Sequence, residues 1–332
     1  MRSLSVRVEA VTPMFLGGAN PRGAPELRAA SFRGVMRFWL RALLGAYLGD
    51  NLKVLRQAES AVFGSTDGAS PVVVQVKGRP HYVDLERRPS RTSGYNYLYW
   101  SVFLQRKGRK LRCIAPGSTF QVLLSLRPGV RQEQALWRAG AALWLTVRLG
   151  GLGSRSRRTL GSLVAREEPA QGFDPPLPPF VSSASDPAAL AAELETGIRT
   201  LCSSVGDNGE KPCHGFNVLH KDRCSVWVVA GNQPWPTWEG AAEKMGAALR
   251  ALRQGMPLRE RAALGLPLKG APKSLPPRYA SPLILTIAPL RGGGFAGIVV
   301  LFEPLLKAPP SFKDSLVCPF VGQFDVKEEV SL

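Results

Sequence analysis

The segment L-G-G-L-G-S-R-S-R-R-T-L-G-S-L, residues 149–163, combines closely spaced glycines with closely spaced arginines. Glycine adds no side-chain bulk, so backbone N–H groups in such a stretch can reach a ligand directly. Guanidinium groups have a fork geometry that suits phosphate oxygens. We therefore predict that this glycine-arginine loop binds a polyanion, and we favour nucleic acid over a small metabolite. The residues concerned are Gly150, Gly151, Gly153, Ser154, Arg155, Ser156, Arg157 and Arg158.

The basic charge of the chain is concentrated in its first half. Residues 1–166 hold 27 Lys and Arg against 8 Asp and Glu, a net charge of +19, whereas residues 167–332 hold 16 and 17, a net charge of −1. Clustered basic groups bind polyanions with release of counterions. A surface that serves solubility alone intersperses both signs. The distribution therefore predicts a nucleic-acid-binding surface in the first half.

Composition and length limit the class of protein. A chain of 332 residues, 45% of them hydrophobic and 20% charged, is expected to form two folded domains. No apolar run approaches the roughly 20 residues of a membrane helix, and the first residues lack the apolar core of a signal peptide. Five cysteines, an odd number, favour a reducing compartment over a disulfide framework. We expect a cytoplasmic protein without a membrane partner.

Periodicity predicts the elements of the first half. Residues 4–10 alternate as a half-buried strand does, and residues 32–47 carry an apolar stripe at helical spacing that begins after a predicted cap at Ser31. Further predicted elements are a helix at 52–63, strands at 71–77 and 119–126, a helix at 133–148 and a closing strand at 158–165. The order β-α-β-β-α-β is ferredoxin-like, the arrangement that RNA-recognition modules share.

The second half contains a similar set of elements. Helices are predicted at 188–201 and 238–253, and strands at 224–230, 282–288 and 296–302. We predict an α+β protein of two tandem ferredoxin-like domains. Their predicted bounds are 1–168 for the basic, RNA-binding domain with the glycine-rich loop, 169–187 for a proline-rich linker or surface crossing, and 188–332 for a second domain that packs on other subunits.

The first predicted helix carries a second set of basic residues. Arg33, Arg37 and Arg41 recur at i, i+4 and i+8, so they lie on one face beside the apolar stripe. Gly34 lies in the first turn, where unpaired N–H groups and the helix dipole favour an anion. We expect a phosphate backbone to cross the start of this helix. The alternative is a solvated basic face.

Aromatic residues supply candidates for base stacking. Phe38 lies off the apolar stripe and can stack on a base or contact a partner, whereas core packing is the expectation for Trp39. Residues 87–112 interleave aromatic and basic side chains as RNA-binding surfaces do, with half of the rings expected to pack inward. The aromatic members are Tyr95, Tyr97, Tyr99, Trp100 and Phe103, and the basic ones Arg91, Arg106, Lys107 and Arg109.

Metal binding and catalysis have little support in the sequence. Candidate zinc ligands fall within 23 residues, but they form no C-x-x-C pair and match no zinc-module spacing, so unrelated loop residues are the default interpretation. These candidates are Cys202, Cys213, His214, His220 and Cys224. No nucleophile elbow, metalloprotease motif or Walker loop is present, and His81 is the only histidine in the basic half. We expect neither cofactor nor catalytic residues.

Four motifs resemble those of the RAMP superfamily of CRISPR proteins. Within it, the chain is most similar to the first RAMP subunit of the type III-B (Cmr) RNA-guided effector complexes. The motifs are V-T-P-M-F-L-G-G-A (11–19), P-E-L-R-A-A-S-F-R-G-V-M-R-F-W-L-R-A-L (25–43), the glycine-arginine loop and R-Y-A-S-P-L-I-L (278–285). One departure is Thr159, which stands where the family loop often continues with glycine.

The resemblance implies a non-catalytic subunit near the 3′ end of the guide RNA, with guide (crRNA) and target RNA as ligands. It also implies contacts with the other RAMP backbone and capping subunits and with the small subunit. Carried over by position, the contact set adds to the loop the residues Gly17, Gly18, Arg33, Gly34, Arg37, Phe38, Trp39 and Arg41. The alternatives are a RAMP endoribonuclease that trims guide precursors with His81, and a free-standing RNA-binding module.

Overall fold

The computed structural model describes residues 3–18, 20, 23–86, 90, 93–105, 111–206, 212–266, 268, 270, 274–305 and 319–332. The first half contains β1 (Ser3–Ala10), α1 (Ala29–Leu44), α2 (Leu52–Phe63), β2 (Val72–Lys77), β3 (Tyr82–Asp84), α3 (Gly94–Gln105), β4 (Arg112–Ile114), β5 (Thr119–Leu126), α4 (Glu133–Arg148) and β6 (Leu163–Ala165). The second half contains α5 (Pro187–Val205), β7 (Cys224–Ala230), α6 (Trp238–Gly255), α7 (Leu258–Ala263), β8 (Leu283–Pro289), β9 (Phe295–Phe302) and β10 (Val326–Val330). Among the residues described, no helix is long and apolar enough to cross a membrane.

The first sheet has the strand order β2-β5-β1-β6, with every neighbouring pair antiparallel. With α1 after the first strand and α4 before the last, this is the βαββαβ arrangement that the sequence predicts. The period of two in β1 directs Leu4, Val6 and Val8 into the core, where α1 and α4 cover the sheet. The other face carries the alternate residues of each strand.

Helix α1 buries the predicted stripe, but the predicted cap is wrong. Phe32, Met36 and Trp39 are buried against the sheet and α4, in agreement with the helical spacing. The helix begins at Ala29, two residues before Ser31, and its N-cap Arg28 is extended and supplies no side-chain hydrogen bond. Ser31 therefore lies within the first turn, where its own N–H bonds to the Arg28 carbonyl oxygen at 3.0 Å.

The closing strand β6 is shorter than the sequence predicts. Residues 158–162 are not part of it, because Thr159 and Gly161 have φ angles of 67° and 68°, which an extended strand cannot contain. Arg158 instead forms a parallel bridge with Leu285 of the second sheet. The end of the glycine-arginine loop therefore joins the second half of the chain.

An insertion between β2 and β5 contains β3, α3 and β4, which the periodicity does not predict. Helix α3 packs along α6, and Gly94 lies against Gly246 so closely that a Cβ on Gly94 would be 2.8 Å from the Gly246 carbonyl carbon. Glu243 of α6 accepts hydrogen bonds from the backbone N–H groups of Gly94 and Tyr95, at 2.6 and 3.2 Å. This carboxylate caps α3 from the other half of the chain.

The second sheet has the strand order β10-β7-β9-β8 and is also antiparallel. In chain order this repeats the arrangement of the first sheet. Both faces of β7 are buried: Val226 and Val228 lie in the core with α5, whereas Trp227 and Val229 pack towards α6. Helices therefore cover both faces of this sheet. Strand β10 was not among the predicted elements.

The segment between the halves is packed into the structure. Leu177 and Phe180 are buried, and Trp144 of α4 donates from Nε1 to the Pro179 carbonyl oxygen at 2.8 Å. Gly197 of α5 lies against the Trp144 ring. One continuous apolar core therefore runs from the first sheet to the face of the second sheet that α5 covers. The domain bounds 1–168 and 188–332 stay a prediction.

Candidate nucleic-acid interface

The glycines of the glycine-arginine loop allow close packing inside the protein. Gly150 and Gly151 are buried. A Cβ on Gly150 would be 2.5 Å from Trp39 Nε1, and one on Gly153 would be 2.3 Å from the Phe15 carbonyl oxygen. The prediction that Gly150 and Gly151 expose the backbone to a ligand is therefore wrong, because their missing side chains make room for α1 and for the other strand of the loop.

Arg157 and Arg158 hold the second half of the chain. Arg158 is 6% exposed and donates to the Leu283 carbonyl oxygen at 2.7 Å and to Ser281 Oγ at 2.8 Å. Arg157 donates to the Ser281 carbonyl oxygen. Burial lowers the pKa of Arg158 to about 9, so the guanidinium stays charged at neutral pH. The prediction that Arg158 binds phosphate is wrong because its guanidinium is buried and donates to groups of the protein interior.

Arg155 connects the loop to α3. Its φ of 63° is left-handed, and its Nε donates to the Leu98 carbonyl oxygen at 2.8 Å. The guanidinium carbon lies 5.8 Å from the centroid of the Trp100 ring. Burial lowers the pKa of Arg155 to about 10, which leaves it charged at neutral pH. Arg155 therefore positions α3, while part of its surface stays accessible.

The accessible part of the loop lies around its turn. Ser154 is exposed, and Gly153 and Ser156 are half-buried. Within the described part of the chain, the backbone N–H groups of Gly153, Arg155 and Arg157 donate to no acceptor, whereas their neighbours donate within the protein. Unpaired amides beside positive charge are suited to an anion. Anion binding by the backbone of this turn stays a prediction.

The loop of residues 13–18 packs beside this turn. Ser154 N donates to the Phe15 carbonyl oxygen at 2.9 Å, and Gly161 N donates to that of Pro13 at 3.0 Å. Gly17 is exposed with open space at its Cβ position, whereas a Cβ on Gly18 would overlap the Glu26 carboxylate. Two motifs that are far apart in sequence therefore form one surface, and Gly17 is its accessible glycine.

The arginines of α1 differ in their surroundings. Arg33 is exposed, and Gly34 is exposed with nothing within 4 Å of its Cβ position. Arg37 and Arg41 both pair with Glu59 of α2, at 2.5 and 2.6 Å. Arg37 also donates to the carbonyl oxygens of residues 63 and 64, at 2.7 Å each. The predicted stripe exists, but two of its members also hold α2 in place.

A cleft between α1 and α2 opens beside this stripe. It has a volume of about 620 Å³, and Arg37, Arg41 and Arg56 line it with Glu59 and Phe216. Arg56 is exposed, and the Arg41 guanidinium lies 5.4 Å from the Phe216 ring centroid. Sequence analysis missed Arg56 and Glu59. Their spacing on an amphipathic α2 is a signal, but only the packing of α2 on α1 identifies the cleft.

The two aromatic residues of α1, Phe38 and Trp39, differ in accessibility. Trp39 is 1% exposed in the core, which the apolar stripe already favoured. Phe38 is half-buried, with its ring in edge contact with Trp39 and with Phe302, at centroid distances of 5.2 and 5.9 Å. The Arg157 guanidinium covers the same ring at 4.8 Å. These contacts leave part of the Phe38 ring accessible, and its stacking on a base or contact with a partner stays a prediction.

The Cys and His candidates are spread over α5, β7 and the loop between them. In the part of the chain that the structure describes, no three His, Cys, Asp or Glu residues converge as metal ligands would. Cys202 lies on α5 and Cys224 begins β7, while Cys213 bonds through its N–H to the Gly45 carbonyl oxygen. His220 lies 3.5 Å from Asp222, and His214 contacts the Arg223 guanidinium. His81 is exposed beside β3.

Comparisons with known proteins agree with this architecture. A sequence model of the RAMP superfamily matches residues 7–164. The chain is 37% identical over 171 residues to the CRISPR system Cmr subunit Cmr1-2 of Pyrococcus furiosus, covering 47% of this chain and 91% of the relative. It is 29% identical over 308 residues to Cmr1-1 of the same organism, covering 89% and 86%. The chain therefore belongs to the RAMP superfamily and, within it, to the Cmr1 subunits of CRISPR Cmr systems.

Solved structures share the fold over nearly the whole chain. The apo crystal structure of Cmr1 from Pyrococcus furiosus matches with a TM-score of 0.73 at 24% identity, covering 100% of this chain and 99% of that one. A chain of the cryo-EM structure of the type III-B Cmr-beta complex bound to cognate target RNA matches with a TM-score of 0.64 at 11% identity, covering 97% and 100%. The resemblance read from the four motifs is confirmed.

Proposed function

We propose that the chain is a non-catalytic, RNA-binding subunit of a type III-B Cmr effector complex. The observation that carries this proposal is the arginine-lined cleft between α1 and α2, which lies in the half of the chain with a net charge of +19. The membership of this chain in the Cmr1 family supports the proposal. So does the similarity in fold to a chain of a Cmr complex bound to cognate target RNA.

RNA binds across the exposed face of α1. Arg33 and Arg56 are accessible to phosphate, and Gly34 leaves room for a sugar-phosphate backbone to approach the helix. Such contacts position an RNA without reading its bases. A protein that serves a guide-programmed complex needs this mode, because base pairing with the guide supplies the sequence specificity.

The ligands are the guide (crRNA) and its target RNA, and the subunit lies towards the 3′ end of the guide. The second half has a net charge of −1 and offers no comparable basic excess. We assign it to contacts with the other RAMP backbone and capping subunits and with the small subunit. The assembled complex acts in antiviral defence.

The salt dependence of RNA binding tests the phosphate contacts. Arg33→Ala with Arg56→Ala is expected to weaken binding, and to reduce the slope of log K against log salt concentration by roughly one unit for each lost contact. The matched control is Arg259→Ala with Arg291→Ala, which removes two exposed arginines from the second half. Equal effects of the two pairs would mean that net charge alone, and not the basic surface of α1 and α2, determines affinity.

The absence of catalysis is tested separately. The purified chain, incubated with guide precursor RNA, is expected to leave it intact. Cleavage by the wild type that disappears in His81→Ala would instead identify an endoribonuclease. Co-purification with the other Cmr subunits is expected, and a chain that never joins them would support a free-standing RNA-binding module.

A further inference from the structure

Helix α3 exposes a tryptophan on the side opposite to its buried stripe. Tyr95 and Tyr99 are 4% and 0% exposed, and together with Leu98 and Val102 they pack towards α6 and the second sheet. Trp100 is 50% exposed. The other tryptophans are less accessible. Trp238 is half-buried, and the buried ones are Trp39, Trp137, Trp144, Trp227 and Trp235. An exposed indole in this position has no role in the core.

The helix that carries Trp100 is held firmly against the glycine-arginine loop. Tyr99 Oη and Thr159 Oγ1 form a buried hydrogen bond of 2.6 Å. Arg155 donates to the carbonyl oxygen of Leu98, and its guanidinium lies over the Trp100 ring. The ring therefore projects from a fixed backbone with a cation beside it, which is the preorganisation that a stacking surface needs.

Charge around the ring favours one kind of occupant. The unpaired amides of the loop turn lie within the same segment as Arg155, and exposed Ser154 precedes it. A large aromatic ring with a guanidinium over one side suits a nucleobase, and the unpaired amides of the loop turn suit its phosphate.

We infer that Trp100 stacks on the base of an unpaired RNA nucleotide while the loop turn binds the adjacent phosphate. The inference rests on the proposed RNA-binding function and adds to it a contact with a base. Arg155 covers one side of the ring, so the base occupies the exposed side. Stacking of this kind tolerates any base sequence, since every base has a π-face.

The test uses two ligands, a short oligoadenylate and an abasic ribose-phosphate oligomer of the same length. Binding of the full chain is measured by fluorescence anisotropy. Trp100→Ala is expected to weaken oligoadenylate binding by about fivefold or more and to leave the abasic oligomer unaffected. Trp100→Phe keeps most of the oligoadenylate affinity. Leu258→Ala, which removes an exposed apolar side chain from the second half, changes neither.

Tryptophan emission gives an independent readout. Because Trp100 is the most exposed of the tryptophans, it is expected to dominate quenching by acrylamide, and bound oligoadenylate should protect it. Trp100→Phe removes this protected component. Urea denaturation of Trp100→Phe and Trp100→Ala checks their folding. An unchanged urea midpoint excludes unfolding as the cause of any loss of binding.

The outcomes separate the two proposals. A wild type that binds both oligomers equally, with steep salt dependence, keeps the RNA-binding function and overturns the stacking contact. A wild type that binds neither overturns both. If Trp100→Ala binds both oligomers normally but no longer assembles with other Cmr subunits, the ring belongs to a protein interface and the inference is wrong.

Discussion

Arg158 Nη1 donates to the carbonyl oxygen of Leu283 at 2.7 Å, across a sequence separation of 125 residues. This hydrogen bond joins two of the four family motifs, the glycine-arginine loop and the segment at 278–285. The loop therefore does two things. Arg157 and Arg158 hold the halves of the chain together, and the turn leaves backbone amides of the described residues unpaired.

Arg158→Ala is expected to lower the free energy of unfolding by about 3 kcal/mol, because buried hydrogen bonds from a charged donor are lost and their acceptors are left unpaired. Arg131→Ala, at an exposed arginine outside the loop, should change it by no more than about 0.5 kcal/mol. Urea denaturation measures both. A fall in RNA affinity at unchanged stability would mean that Arg158 serves the ligand and not the fold.

Gly150→Ala is expected to destabilise the protein by about 1–3 kcal/mol, since the new methyl group would overlap the Trp39 ring. Gly17→Ala is the matched control, because the space around Gly17 is open. Thermal unfolding should separate the two variants by several degrees. Equal melting temperatures would contradict the packing described for α1 and the loop.

Glu59→Gln is expected to raise RNA affinity while lowering stability. The change leaves Arg37 and Arg41 facing a neutral amide, which costs about 2 kcal/mol of unfolding free energy and strengthens the positive potential of the cleft. Glu329→Gln makes the same change in charge at an exposed site of the second half. If both variants bind RNA equally, the cleft does not contact it.

Glu193 is expected to make stability depend on pH. Burial acts to raise its pKa, but hydrogen bonds from Ser182, Ser183 and Arg148 outweigh burial and lower the pKa below its usual value. A carboxylate with a lowered pKa stabilises the fold above the unfolded-state pKa of about 4.3, and this contribution disappears as the pH falls through the folded-state pKa.

Glu193→Gln should therefore destabilise the protein more at pH 7 than below about pH 4, as measured by urea midpoints. Glu329→Gln, whose carboxylate is exposed, provides the comparison. A constant difference between wild type and Glu193→Gln over this range would show that the carboxylate does not titrate differently in the folded state.

Local patterns predicted most elements but not the roles of the charged residues. The alternation of β1 and the stripe of α1 arise within one element, so the sequence alone reveals them. The acceptor of Arg158 lies 125 residues away, and an arginine looks the same in sequence whether it meets phosphate or a buried carbonyl. Periodicity did not predict helix α3, because its apolar residues lie on all sides of the helix and form no stripe at helical spacing.

Thr159 shows where a family departure has a physical counterpart. The φ of Thr159 is 67°, a left-handed conformation that glycine adopts freely and a β-branched residue resists. Its N–H donates to the Leu285 carbonyl oxygen at 2.8 Å, and its hydroxyl pairs with Tyr99. The resemblance identified the unusual residue, but only the structure gives the contacts that offset its strain.

The bridge between Arg158 and Leu285 also affects how the chain meets other molecules. Strand β8 is the last strand at one side of its sheet, and such an edge is a template on which a foreign strand can align and aggregate. The loop tail occupies that template, through Thr159 N to Leu285 O and Leu285 N to Arg157 O. Because residues 157–159 already pair with β8 at Leu285, this part of the edge is not available for pairing with a strand of another molecule.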